Sequence, residues 1–206
     1  IRLNKEVNLT AITDESEVFI KHFLDSATCL STGYIKKDYK IIDIGTGAGF
    51  PGLVLKILKN DIDITLLDSL RKRIVALERI AEELGLKNVK MIHGRAEEYG
   101  NIDDYREKFD IALSRAVASF NVLLEYCLPF VKVGGLFLCQ KGPRYEEELQ
   151  GSEKALNVLG GRIKEVMDFQ LPYSDLRRYI IVVEKVNGTP TKYPRKPGKP
   201  SSNPII

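Results

Sequence analysis

Residues 43–52 read Asp-Ile-Gly-Thr-Gly-Ala-Gly-Phe-Pro-Gly, placing glycines at 45, 47, 49 and 52. Glycines so spaced let the backbone turn sharply and let a ligand approach with no Cβ in the way. The chemistry is that of a cradle for a nucleotide-derived molecule, and two ligands compete for it. Gly47, Gly49 and Gly52 satisfy GxGxxG, the dinucleotide pattern, although a lone match of that kind is weak. Asp43 extends the run to DxGxGxG, in which a carboxylate orders the loop and the ammonium of S-adenosylmethionine. Pro51 removes one N–H from a helix start, a poor choice where a pyrophosphate needs donors.

Further candidates follow along the chain. Asp68 lies 25 residues beyond Asp43, where an acidic side chain accepts both hydroxyls of a ribose. The competing reading is a carboxylate favoured by a helix N-terminus. In Gly94-Arg95-Ala96-Glu97, Ala96 and Glu97 are expected to flank an adenine, one by contact and one by hydrogen bonding. Arg115 suits a carboxylate or an RNA phosphate, with a solvated surface Arg as the alternative. No strict catalytic residue stands out.

These residues need a sheet edge to hold them. KIIDI (40–44), DITLLD (63–68), VKMIH (89–93), FDIALS (109–114) and LFLCQK (136–141) are short apolar runs that read as buried parallel strands. Gly134 and Gly135 are expected to turn into the fifth. Helices are expected after Pro51, over 70–84 with Gly85 at its end, near 119–130 and near 145–159. The alternation predicts a mostly parallel sheet with helices on both faces. GRIKEVMDFQL and RRYIIVVEKV read as a closing hairpin that adds an antiparallel strand. That pair replaces the second βαβαβ half of a dinucleotide fold, and so favours the methyl donor. The expected class is α/β, of the Rossmann-like kind found in class I S-adenosylmethionine-dependent methyltransferases. Residues 1–39 form an N-terminal helical segment with Asp14 and Glu17 as a capping pair. Residues 40–186 form the core. Residues 187–206 form a basic, Pro-rich tail expected to be extended and mobile.

Bulk properties narrow the class. A length of 206 residues suits one sizeable domain. The 31 basic and 28 acidic residues leave +3, which permits a local basic face without announcing a nucleic-acid binder. Cys29, Cys127 and Cys139 lack CxxC spacing, so neither a disulfide framework nor a metal site is expected, and the cytoplasm is. No bilayer span or signal pattern is present. A monomer is the default. The first residue is Ile, which suggests that part of a natural N-terminus precedes it.

The acceptor is read partly from missing equipment. Carbon-5 of cytosine needs a Cys nucleophile, and no cysteine lies in a Pro-Cys motif. Ser114-Arg115-Ala116-Val117 stands where an exocyclic adenine amine usually meets Asn/Asp-Pro-Pro-Tyr. Neither a Lys/Asp/Lys/Glu tetrad nor a metal cluster awaits a hydroxyl. Guanine N7 carries no proton, so in-line positioning supplies most of its catalysis. This reasoning permits N7 and does not single it out.

Together, LNKEVNLTAI (3–12), His22 to Ser26, DIGTGAGFPG (43–52), LLDSLRKR (66–73), GRAEE (94–98), SRAV (114–117), Lys141-Gly142 and TPTKYPRKPGKP (189–200) resemble the bacterial 16S rRNA guanine-N7 methyltransferases, the RsmG or GidB family. The resemblance covers nearly the whole chain. It implies transfer of a methyl group from S-adenosylmethionine to N7 of one guanine in 16S rRNA of the small ribosomal subunit, leaving S-adenosylhomocysteine. It also implies donor contacts at Gly45, Phe50, Ala96, Glu97 and Arg115, to which loop and ribose chemistry add Asp43, Gly47 and Asp68. Asn4, Lys5, Asn8, His22 and Asp25 share the family's spacing. The RNA is expected to meet Lys141, Tyr193, Arg195, Lys196 and Lys199, where an aromatic is interleaved with cations. The rival readings are a small-molecule methyltransferase and a noncatalytic RNA-binding module with a retained donor fold.

Overall fold

Ile41 and Ile42 are both fully buried yet belong to different cores, and this period-two split runs across the sheet. In this computed structural model residues 1–206 are described, in the order α1 (Arg2–Val7), α2 (Glu15–Val18), a π-helical turn (Phe19–Leu24), α3 (Asp25–Ser31), β1 (Lys40–Ile44), α4 (Gly52–Leu58), β2 (Asp63–Asp68) and α5 (Arg71–Glu83). The chain continues through β3 (Val89–His93), α6 (Ala96–Tyr99), β4 (Phe109–Arg115), α7 (Phe120–Cys127), β5 (Val131–Lys141), α8 (Tyr145–Leu149), α9 (Glu153–Leu159), β6 (Gly161–Gln170), β7 (Arg177–Lys185) and α10 (Lys199–Ser202).

The seven strands lie in the order β3-β2-β1-β4-β5-β7-β6. β1 to β5 pair in parallel, and β7 runs antiparallel to both of its neighbours. This is the class I methyltransferase fold. Ile41, Ile64, Leu66, Ile111, Leu113 and Leu138 pack with Cys29, Leu53 and Leu77 from α3, α4 and α5. On the other face Ile42, Ile44, Leu67, Ala112, Phe137 and Ile181 pack with Phe120, Leu123 and Leu156 from α7 and α9. The order of strands reverses between β1 and β4. A crevice opens there at the carboxyl ends of parallel strands, the usual ligand position in such sheets.

Several local expectations change. Gly134 and Gly135 do not turn into a strand. They lie inside β5, which starts at Val131 and bulges against β4 between Phe109 and Ile111. The expected helix over 145–159 is two short helices, broken where Gly151 takes φ +74°. The α5 helix ends in a Schellman motif. Leu86 N–H reaches Ala81 O at 2.9 Å and Gly85 N–H reaches Glu82 O at 3.0 Å, with Gly85 at φ +61°.

The largest difference is the tail, which packs on the domain. Arg106 gathers the carbonyls of Gly100, Thr189, Pro190 and Tyr193 at 2.6–3.2 Å. Buried Lys185 donates to Leu128 O at 2.5 Å and Thr189 Oγ1 at 2.7 Å, and pairs with Glu107 at 3.1 Å. Burial pulls its ammonium down to about 8, with Glu107 opposing. Pro194, Pro200 and Ile205 are buried.

Candidate active site

The glycine loop is built around a carboxylate that it hides. Asp43 is fully buried at the end of β1, and its Oδ2 accepts Thr46 Oγ1 at 2.7 Å and Gly52 N–H at 2.9 Å. It orders the loop from beneath and does not line the crevice. Burial pushes it up to about 6, against the pull of those two hydrogen bonds. Gly45, Gly47 and Gly49 take φ of +71°, +59° and +91°, a region costly for residues with a Cβ. Gly52 must be glycine for a second reason. A Cβ there would lie 2.5 Å from Leu66 Cδ2 and 2.8 Å from Asp43.

Above the loop lies a cavity of about 330 Å³, lined by Gly45, Gly47, Phe50, Asp68, Arg115 and Val117 among others. Asp68 is buried at the end of β2. It accepts Gly47 N–H at 2.9 Å and Leu70 N–H at 2.9 Å, with Arg73 at 3.3 Å. A second cavity of about 230 Å³ continues past Gly45 to Ala96, Glu97, Tyr126 and Ser201. Val117 lines both and divides them. Its Cγ2 is 2.5 Å from where a Gly45 Cβ would sit. Glu97 is buried, and its Oε1 accepts the N–H of Gly198 from the tail at 2.9 Å.

A third, wider cleft of about 690 Å³ opens across Arg115 to Gln140, Lys141, Glu148 and Arg178. Its floor is a buried charge cluster. Asp25 pairs with Arg115 at 2.9 Å and Arg178 at 3.4 Å. Gln140 Nε2 donates to Asp25 O at 2.8 Å. His22 sits in the π-helical turn, stacked on Phe50 at 4.8 Å, with Nε2 2.7 Å from Thr10 Oγ1 and Arg115 at 3.4 Å from Nδ1. Burial, then Arg115, lowers its pKa, so the ring is neutral near pH 7 with both nitrogens engaged. Asn4 holds the preceding loop through two hydrogen bonds to the Thr10 backbone, at 2.8 and 2.9 Å, and Asn8 caps α1 at φ 53°. Lys5 is exposed.

The expected RNA residues separate. Lys141 lines the third cleft, donating to Ala118 O at 2.8 Å and pairing with Glu148 at 2.6 Å. Arg195 is committed inward. Its backbone and guanidinium make four hydrogen bonds of 2.7–3.1 Å to Glu125, whose side chain is 1% exposed. Tyr193 packs against the core, while Lys196 and Lys199 are exposed. Sequence reading missed Val117, Tyr126, Gln140, Arg178 and Glu125. Only Glu125 left a signal, as a lone acid within the apolar helix FNVLLEYC.

The structure resembles the YcgJ protein of Bacillus subtilis, with a TM-score of 0.61 at 16% identity over 81% of this chain and 100% of that one. It also resembles precorrin-6y C5,15-methyltransferase of Geobacter metallireducens, with a TM-score of 0.59 at 17% identity over 78% of this chain and 87% of that one. These likenesses concern the fold alone. No helix is long and apolar enough to cross a membrane. Sequence similarity goes further. The chain is 58% identical over 202 residues to ribosomal RNA small subunit methyltransferase G of Alkaliphilus oremlandii, and 55% identical to that of Alkaliphilus metalliredigens. Each match covers 98% of this chain and 84% of the relative. The family model described as GidB, rRNA small subunit methyltransferase G, matches residues 1–178. The chain therefore belongs to the GidB family of rRNA small subunit methyltransferases.

Proposed function

We propose that this protein transfers a methyl group from S-adenosylmethionine to N7 of a guanine in 16S rRNA, on the small ribosomal subunit or its precursor in the cytoplasm. One observation carries the reading. His22, Arg115, Ala116 and Val117 line both the glycine-loop cavity and the wider cleft. Two ligands held in those spaces meet across one wall. The smaller space fits the donor, since positive-φ glycines clear its floor and Asp68 borders it with a carboxylate. Asp68 would take the ribose, Ala96 and Glu97 the adenine, and Gly45, Gly47 and Phe50 the middle. Asp43 shapes the floor without touching the ligand. When bound, the donor supplies an electrophilic methyl group on a sulfonium.

The wall offers no free base. Both His22 nitrogens are engaged, Arg115 is paired with Asp25, and Lys141 is paired with Glu148. An acceptor that must lose a proton before attack is poorly served. Guanine N7 has an in-plane lone pair and no proton to lose, so positioning is the main requirement. The cleft lining sets Lys21, Arg115, Lys141 and Arg178 against Asp25 and Glu148, a net positive surface suited to the phosphates around the target base.

The test uses labelled S-adenosylmethionine with 16S rRNA and with 30S particles from a strain lacking the modification. Label is expected in 7-methylguanosine after digestion to nucleosides. Donor binding without transfer to either RNA would reject the acceptor assignment.

A further inference from the structure

The tail reaches the inner compartment at Ser201, which lines it with Ala96, Glu97, Val117 and Tyr126. Gly198, in the left-handed region at φ +81°, turns its N–H onto Glu97 Oε1 at 2.9 Å. Asn101 on the neighbouring turn donates to both Glu97 O at 2.8 Å and Pro194 O at 3.1 Å, tying the tail to the acid it touches. Arg195 adds a further anchor, through the bidentate contact with buried Glu125 on α7, while Tyr126 beside it lines the same compartment. Pro200 is buried one residue before Ser201.

We propose that the tail is the outer wall of the base-binding compartment, and that Arg195 is a positioning residue that holds this wall shut through Glu125. The inference rests on the donor reading above and extends it to the end of the pocket that selects the base. The wall limits the space beyond Glu97, so a purine enlarged at its exocyclic amine is excluded. It also fixes one Glu97 oxygen with the Gly198 N–H, which leaves the other to the ligand. The exposed lysines of the same segment face outward and leave this role undisturbed.

Calorimetry with S-adenosylhomocysteine and its N6-benzyl derivative tests the wall. The wild type is expected to bind the first and reject the second. Arg195→Ala is expected to weaken S-adenosylhomocysteine about tenfold, while the preference over the benzyl derivative falls by at least about tenfold. Arg195→Lys is expected to restore part of that preference. A merely destabilised protein would lose affinity for both ligands by the same factor, and an unchanged ratio would overturn the proposal. Should Arg195→Ala fail to fold, Ser201→Trp supplies an independent test from an exposed position. It is expected to fill the compartment and lower S-adenosylhomocysteine affinity at least about tenfold with an unchanged melting temperature. Unaltered affinity in that variant would equally overturn the wall. If the wild type binds no S-adenosylhomocysteine, the donor reading itself fails.

Discussion

The glycine loop and the C-terminal tail are both rich in glycine and proline, and buried carboxylates hold both, Asp43 chief among them in the loop and Glu125 in the tail. The means differ. Asp43 holds the loop through neutral donors, a threonine hydroxyl and a backbone N–H. Glu125 holds the tail through a guanidinium. The loop's donors come from residues three and nine positions away, so the chain forms it locally. The tail's partner is 70 positions away. A local neutral device leaves the carboxylate poorly compensated, whereas a distant cationic one neutralises it. The first yields a rigid floor whose stability depends on pH, and the second a wall fixed at one of its several anchors by an ion pair that one substitution removes.

The largest effect is expected from breaking the floor. Gly52→Val forces a side chain against Leu66 and Asp43, and is expected to cost more than about 3 kcal/mol, read as a drop in melting temperature of about 8 °C or more. A near-normal melting temperature would mean that the loop is pliable and the contrast with the tail false.

Next comes pH. Asp43 has a folded pKa of about 6 against 3.8 for the free group. Between these values the folded protein retains a proton that the unfolded chain has released. Its contribution therefore falls as pH rises from about 4 to 6, by about 2–3 kcal/mol in total. Asp43→Asn keeps an oxygen for Thr46 and Gly52 and removes the titration. The stability difference between variant and wild type, from urea unfolding, is expected to shift in the variant's favour across that window. A constant difference would contradict the neutral-donor account.

The smallest effect sharpens the other side. Lys196→Ala with Lys199→Ala is expected to leave stability within about 0.5 kcal/mol. It is also expected to lower the slope of log affinity for 16S rRNA against log salt by up to about two. An undiminished slope would leave the tail as a pocket wall alone.

The sequence made the strands and the loop legible because their causes are local. Period-two and continuous apolar runs marked β1 to β4, and β6 with β7 read as a hairpin from residues 161–185. Local causes also misled. The Gly134-Gly135 pair has turn chemistry, yet it falls in the bulge of a single strand, in the stretch of β5 left unpaired between Val131 and Leu136. Gly151 interrupts a helical pattern too briefly to announce two helices. The tail carried every compositional sign of a free segment. Its order comes from Glu97, Glu107, Glu125 and Arg106, residues 82–101 positions away at three of these anchors and 70 at the other. Of the expected donor residues, Gly45, Gly47, Phe50, Asp68 and Arg115 converge on one cavity, and Ala96 with Glu97 on the next. Asp43, expected to order both the loop and the donor's ammonium, orders the loop from beneath, where Thr46 Oγ1 and Gly52 N–H engage one of its oxygens.

The bond from Gly198 to Glu97 spans 101 residues. A ribosome making this chain therefore completes the glycine loop, α6 and α7 well before it makes the segment that closes them. Loops joined over such distances form late, since closure entropy must be met before the contact contributes. A nascent chain would gain its floor first and its base discrimination only when the tail docks. If the tail walls the base compartment as proposed, ligand selectivity would be acquired after the glycine loop has formed.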